Sequence, residues 1–203
     1  MEGYFIDNSG KKVQAIFKIP ILQKYFIDFI KLQQGVRVEL ENGEKLKLSA
    51  EETQKFVFQF SEQTVEMVAL KNSLKLKPAT GGAKDFIFLP LILSGKNTNL
   101  YLYFQTYGTS GMAAHGESFT GSITEKRNVL KINEEIAKIN FEGKTNYIFQ
   151  NSKGEFFQPT ENVFDTDLAK YFENCEAVAR NLNDASLKKY KVSEMVQSYN
   201  DCQ

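Results

Sequence analysis

Few residues in this chain of 203 are suited to chemistry: one histidine, two cysteines and some paired carboxylates. His115 is the side chain whose ordinary pKa allows general-base work near neutral pH. Ser110, Glu117 and Ser118 lie beside it, which makes a hydrolase one reading of this loop. A nucleophile elbow needs Gly-x-Ser-x-Gly on a strand-to-helix turn. Here Gly116-Glu117-Ser118-Phe119-Thr120 ends on Thr, Gly121 comes one residue late, and no strand pattern leads in. An exposed loop histidine is the plainer reading. The same Gly-rich stretch, near 107–122, lacks the Gly-x-x-x-x-Gly-Lys of a phosphate loop, as does Gly95-Lys96.

The carboxylate pairs Glu51-Glu52 and Glu134-Glu135 are adjacent in sequence. Adjacent side chains point different ways and cannot face each other across a sugar. Asp165-Thr166-Asp167 starts like a calcium loop but lacks the following Gly and Glu, so helix capping is favoured. Cys175 and Cys202 are 27 positions apart, with no histidine near them to complete a metal site or a catalytic pair. Spacing alone leaves a disulfide and two unrelated thiols both open. Tyr101 and Tyr103 share one face of a strand and could form an exposed patch for a partner or simply pack in the core. No cofactor is implied.

Composition narrows the function classes. Lys plus Arg and Asp plus Glu are 25 each, a net charge of +0, so there is no basic footprint for nucleic acid or anionic lipid. The 17 Phe and 9 Tyr argue against disorder. The longest apolar run, Phe86 to Leu93, is far short of a membrane-spanning helix. Met1-Glu2-Gly3-Tyr4 does not open a signal peptide, so the expectation is either a cytoplasmic protein or one whose signal has been removed.

The elements that would position these residues are mostly strands. Tyr4–Ile6 and Val13–Ile19 flank Asn8-Ser9-Gly10-Lys11, and Val36–Leu40 and Glu44–Leu48 flank Asn42-Gly43, which predicts a type I′ hairpin turn. Ser49-Ala50-Glu51-Glu52 reads as a capping box with one or two helical turns. Phe56–Phe60, Val65–Leu70, Phe86–Leu93, Leu100–Thr106, Asn146–Gln150 and Glu155–Gln158 read as strands. Residues 21–32 fit a helix or a strand. Ile132, Ile136 and Ile139 favour a short helix within 123–142. Phe164, Leu168, Tyr171, Phe172, Cys175, Val178, Ala179 and Leu182 then recur at helical period. Ser193 would cap a second helix carrying Met195, Val196 and Tyr199.

The expected fold is α+β: mostly antiparallel β, a rolled sheet or sandwich of about ten strands, with two C-terminal helices. Residues 1–160 would form the β part and 161–203 a helical hairpin packed on it, as one structural unit. The aromatic side chains could alternatively line a cavity for a small hydrophobic ligand.

The tail Lys170-Tyr171-Phe172-Glu173-Asn174-Cys175 and Val196-Gln197-Ser198-Tyr199-Asn200-Asp201-Cys202 resembles the ending of secreted or cell-envelope proteins of Bacteroidetes. Their pattern is YF-x-x-C … V-x-x-YN-x-C. Phe17-Lys18-Ile19-Pro20, Leu32-Gln33, Asn42-Gly43, Asn72, Leu100-Tyr101-Leu102-Tyr103 and Tyr147-Ile148-Phe149-Gln150 fit the same resemblance, which omits roughly 107–143. It implies a signal peptide in the native protein, a periplasmic or extracellular location and an oxidised Cys175–Cys202 pair. It also favours an extended form for 25–33. It supplies no activity and no catalytic residue. The reading is a non-enzymatic envelope or secreted module that binds an envelope protein or small molecule; the alternatives are a hydrophobic carrier and a hydrolase using His115.

Overall fold

Three hairpins close on the same turn. Asn8-Ser9-Gly10, Glu41-Asn42-Gly43 and Ser152-Lys153-Gly154 each span it, and the glycine N–H donates to the carbonyl of Asp7, Leu40 or Asn151. The glycines take φ of +84°, +81° and +81°, a region that a Cβ disfavours. The Asn42-Gly43 turn is therefore not the expected type I′. Only Gly43 has positive φ, and the Asn42 side-chain oxygen accepts the Glu44 N–H at 3.0 Å. It is a three-residue turn ending in a glycine bulge.

The computed structural model describes residues 1–22, 26–60, 63–77, 83–104, 145–160, 164–183 and 192–202. The strands are β1 (Glu2–Asp7), β2 (Lys12–Lys18), β3 (Ile21–Leu22), β4 (Phe26–Ile27), β5 (Val36–Glu39), β6 (Lys45–Leu48), β7 (Thr53–Phe60), β8 (Gln63–Lys71), β9 (Phe86–Leu93), β10 (Thr98–Phe104), β11 (Thr145–Asn151) and β12 (Phe156–Phe157). The helices are α1 (Phe29–Leu32), α2 (Phe164–Tyr171), α3 (Glu176–Asn183) and α4 (Val192–Asp201). Ten strands form one sheet in the order β12-β11-β10-β9-β8-β7-β1-β2-β5-β6, and β3 pairs with β4 alone. The fold is α+β and mostly antiparallel, as the alternation of residues required.

The sheet divides into two panels at β9. Phe86 to Pro90 pair with β8, whereas Leu91 and Leu93 pair with β10. Pro90 has no N–H to give, and it stands where the ladder changes partner and the β10 register slips. Gln33 bridges the two panels. Its carbonyl accepts from Phe88 N–H at 3.2 Å, and its side-chain amide bonds both the N–H and the carbonyl of Phe104, at 2.7 and 2.8 Å. A buried side-chain amide thus replaces a stretch of missing ladder.

One core cluster draws on the inner faces of both panels and on the helices. Phe17, Phe56, Phe58 and Phe88 are buried in it, with ring centroids 4.8–6.2 Å apart. β1 enters the middle of the sheet, where Gly3 lies opposite Phe58 and Ala15. A Cβ on Gly3 would collide with the Val57 carbonyl oxygen.

Several local expectations are corrected. Ser49–Glu52 is a single turn that runs straight into β7: the Glu52 N–H reaches the Ser49 carbonyl, and the Ser49 hydroxyl donates to the Glu52 carboxylate at 2.9 Å. Within 25–33 only Phe26–Ile27 is extended among the described residues. Asp28 then caps α1, accepting the Lys31 N–H at 3.1 Å. The first C-terminal helix is two: the stripe from Leu168 to Val178 stays buried, but the chain breaks at Glu173-Asn174-Cys175 between α2 and α3. Ser193 does not cap α4, because the helix already includes Val192. The Gly-rich loop near 107–122 and the helix expected within 123–142 lie outside the described residues.

Candidate functional site

Asn200 occupies the point where α4 meets the β9–β10 loop. Its side-chain oxygen accepts from the N–H groups of Asn97 and Thr98 at 2.9 and 2.8 Å, and its amide donates to the Thr98 carbonyl at 2.9 Å. Asn97 replies, donating its side-chain amide to the Tyr199 carbonyl at 2.8 Å. Gly95 must be small here, since a Cβ would overlap the Asn200 amide. The Thr98 and Tyr171 hydroxyls bond at 2.7 Å, which brings α2 to the same hairpin.

Aromatic rings pack beneath this contact. Phe157 stacks on Tyr171 at 5.0 Å, Phe149 contacts both Tyr171 and Phe172, and Phe172 lies 4.8 Å from Tyr199. Cys175 and Cys202 form a disulfide with Cα atoms 6.0 Å apart, joining the start of α3 to the end of α4. Neither cysteine is a free thiol. Tyr171, Phe172, Cys175, Val196, Tyr199, Asn200 and Cys202, the residues of the tail pattern, therefore hold the terminal helices against β9–β11. They make an architectural knot.

Tyr101 and Tyr103 are buried, so they are not an exposed aromatic patch. They lie on the opposite sheet face, in a second cluster with Leu70, Leu76, Ile87, Leu89 and Ile148. Burial pushes the Tyr101 phenol up to about 12 and raises that of Tyr103. Tyr101 donates to the Gln150 side-chain oxygen at 3.0 Å. Asn72 folds residues 72–77 over this face, bonding Leu76 N–H, Leu76 carbonyl and Lys84 carbonyl at 2.7–2.9 Å. A small half-open pocket lined by Leu70, Asn72, Leu76, Ile87, Leu89 and Ile148, among others, has room for about one water.

His115, Ser110, Ser118, Glu117, Glu134 and Glu135 lie outside the described residues. Asp167 accepts the Thr160 N–H at 2.7 Å, which ties α2 to the preceding segment. Among the described residues no cluster of metal-ligating side chains occurs, and no helix is long and apolar enough to cross a membrane.

Sequence reasoning singled out neither Asn200 nor Gln33 for its contacts. Both are polar residues next to apolar ones, and only their partners, 102 and 71 positions away, reveal their roles. It also missed a row of cations on the outer face at the β6 end. Lys18, Arg37 and Lys47 stand directly opposite one another on β2, β5 and β6. No known family model matches the chain, and no curated protein or solved structure matches it.

Proposed function

We propose that the protein is a non-enzymatic module of the cell envelope or the secreted fraction, and that it works by binding a partner. The Cys175–Cys202 disulfide carries this reading, because such bridges persist in oxidising compartments and are rare in a reducing cytosol. Three of the buried polar side chains have structural work, whereas the buried Ser193 hydroxyl has no partner among the described residues. Gln33, Asn72 and Asn200 are each engaged with backbone groups of their own chain. A carrier would need room in the interior, where the Phe17, Phe56, Phe58 and Phe88 rings already touch. A hydrolase would rest on His115 and a serine of the same loop, both outside the described residues.

The test is to fractionate source cells under conditions that trap thiols and to count free thiols in the denatured protein. The expected result is recovery in the periplasmic, envelope or extracellular fraction with none free. Recovery of the dithiol form in the cytosolic fraction would overturn the reading.

A further inference from the structure

The sheet ends at β6, which pairs with β5 on one side and with no described strand on the other. Its residues alternate Lys45, Leu46, Lys47, Leu48, and both lysines are exposed. The Leu40 N–H bonds the Glu44 carbonyl. Counting the antiparallel ladder from there directs the backbone groups of Leu46 and Leu48 to β5, and those of Lys45 and Lys47 outward. Among the described residues nothing pairs with the N–H and carbonyl groups that this edge turns outward at the two residues carrying ammonium side chains.

Lysine on an edge strand is a common guard against unwanted pairing. That explains Lys45 and Lys47 but not what lies behind them. Arg37 stands opposite Lys47, and Lys18 stands opposite Arg37. Like charges directly opposite each other destabilise a sheet. Three in one row across three strands, in a chain whose charges balance overall, call for a counter-charge. Glu39, on β5, engages Lys18 at 3.3 Å. Among the described residues Arg37, Lys45 and Lys47 have no acidic partner within 4.0 Å. The neighbouring row holds Glu2, exposed Ile16, Glu39 and Lys45, and Glu41 and Glu44 stay in the turn.

We propose that the β6 edge, backed by Arg37 and Lys18, docks an extended acidic segment of a partner protein as an additional strand. The proposal rests on the binding-module reading above and names its site. Backbone bonds to Lys45 and Lys47 supply the pairing, and alternate acidic side chains meet the cations on the outer face. The intervening apolar side chains of the partner cover half-buried Leu46 on the inner face. A second copy of this chain is disfavoured there, because its own β6 would set lysine against lysine.

The probe is a labelled peptide of about six alternating Glu and Val residues, a common strand length, titrated into the whole oxidised protein. Saturable binding that weakens with salt is expected. K45E/K47E should weaken it by about tenfold or more, as should N-methylation of alternate peptide amides. Arg37→Glu should also weaken it while raising the thermal unfolding midpoint, because two repulsive pairs become attractive. A merely structural Arg37 would lower that midpoint when reversed. Absence of saturable binding, equal binding by the N-methylated peptide, or preference for a sulfated polysaccharide or anionic vesicles would overturn the proposal. If a partner bound wild type and K45E/K47E equally, the binding-module reading would stand and this site would fall.

Discussion

At the residue scale, Asn200 shows how one amide can hold a domain edge together. It satisfies the N–H groups of Asn97 and Thr98 and the carbonyl of Thr98, and it is itself buried. Asn200→Ala leaves these groups unpaired in the interior, so a loss of about 2 kcal/mol or more is expected in urea unfolding. Gly95→Ala should be similarly costly, since its methyl group and the Asn200 amide cannot share the space. The buried tyrosines set an alkaline limit. Burial pushes Tyr101 and Tyr147 up to about 12 from 10.0, so folding favours their protonated forms. Their contribution is complete below the unfolded-chain pKa of about 10. It is lost as pH rises from there through about 12. Unfolding midpoints should fall across that window, and tyrosinate absorbance should rise with the loss of structure.

At the scale of elements, the breaks carry as much information as the regular stretches. The apolar stripe of the C-terminal region predicts its buried face correctly, yet the helix stops before Cys175 and restarts after it. The Cys175 carbonyl accepts from Val178 and Ala179 N–H, which begins α3. Periodicity fixes which side chains are buried, but a short turn that keeps the same face buried leaves little trace in it. Asp28 was legible in principle as a cap, but its neighbours Phe26, Ile27, Phe29 and Ile30 read equally as strand. The disulfide closes a span of 27 residues, worth about 3.5 kcal/mol in loop-closure entropy. In the double variant C175S/C202S, thermal stability should fall by that order. Hydrogen exchange should rise first in α4 and the β9–β10 loop, while β7 and β8 remain protected. Uniform exchange across the sheet would show that the bridge supports the whole fold and not the terminal helices in particular.

At the scale of the molecule, strand content and the antiparallel class were legible because alternating residues and glycine turns are local signals. The strand order was not. β1 lies between β2 and β7, and only the close approach at Gly3 explains why a glycine stands in that strand. The role of the outer face was left open for the same reason. Alternation puts Tyr101 and Tyr103 on one side, but their burial depends on residues 72–77 folding across them. The net charge of +0 likewise conceals how charge is distributed. Lys18, Arg37 and Lys47 are scattered in sequence and adjacent only when the register is known. If packing of the inner face sets stability, Phe58→Ala should cost about 3–5 kcal/mol, the range for a fully buried ring. Lys12→Ala, on the outer face over the Tyr4 ring at 3.8 Å, should cost about 0.5–1 kcal/mol. Chemical denaturation of the two variants separates these contributions.

The Asn200 contact also orders events in time. A loop at residues 97 and 98 is completed by a side chain that enters the chain 102 positions later. The first two thirds of the sheet can assemble without α4, but the β9–β10 turn stays unfinished until Asn200 has been made. A message cut short before Asn200 would yield a protein with most of its strands and an open corner. The N–H groups of Asn97 and Thr98 would lose the side chain that accepts from them. The β9–β10 corner is thereby closed only when Asn200 arrives.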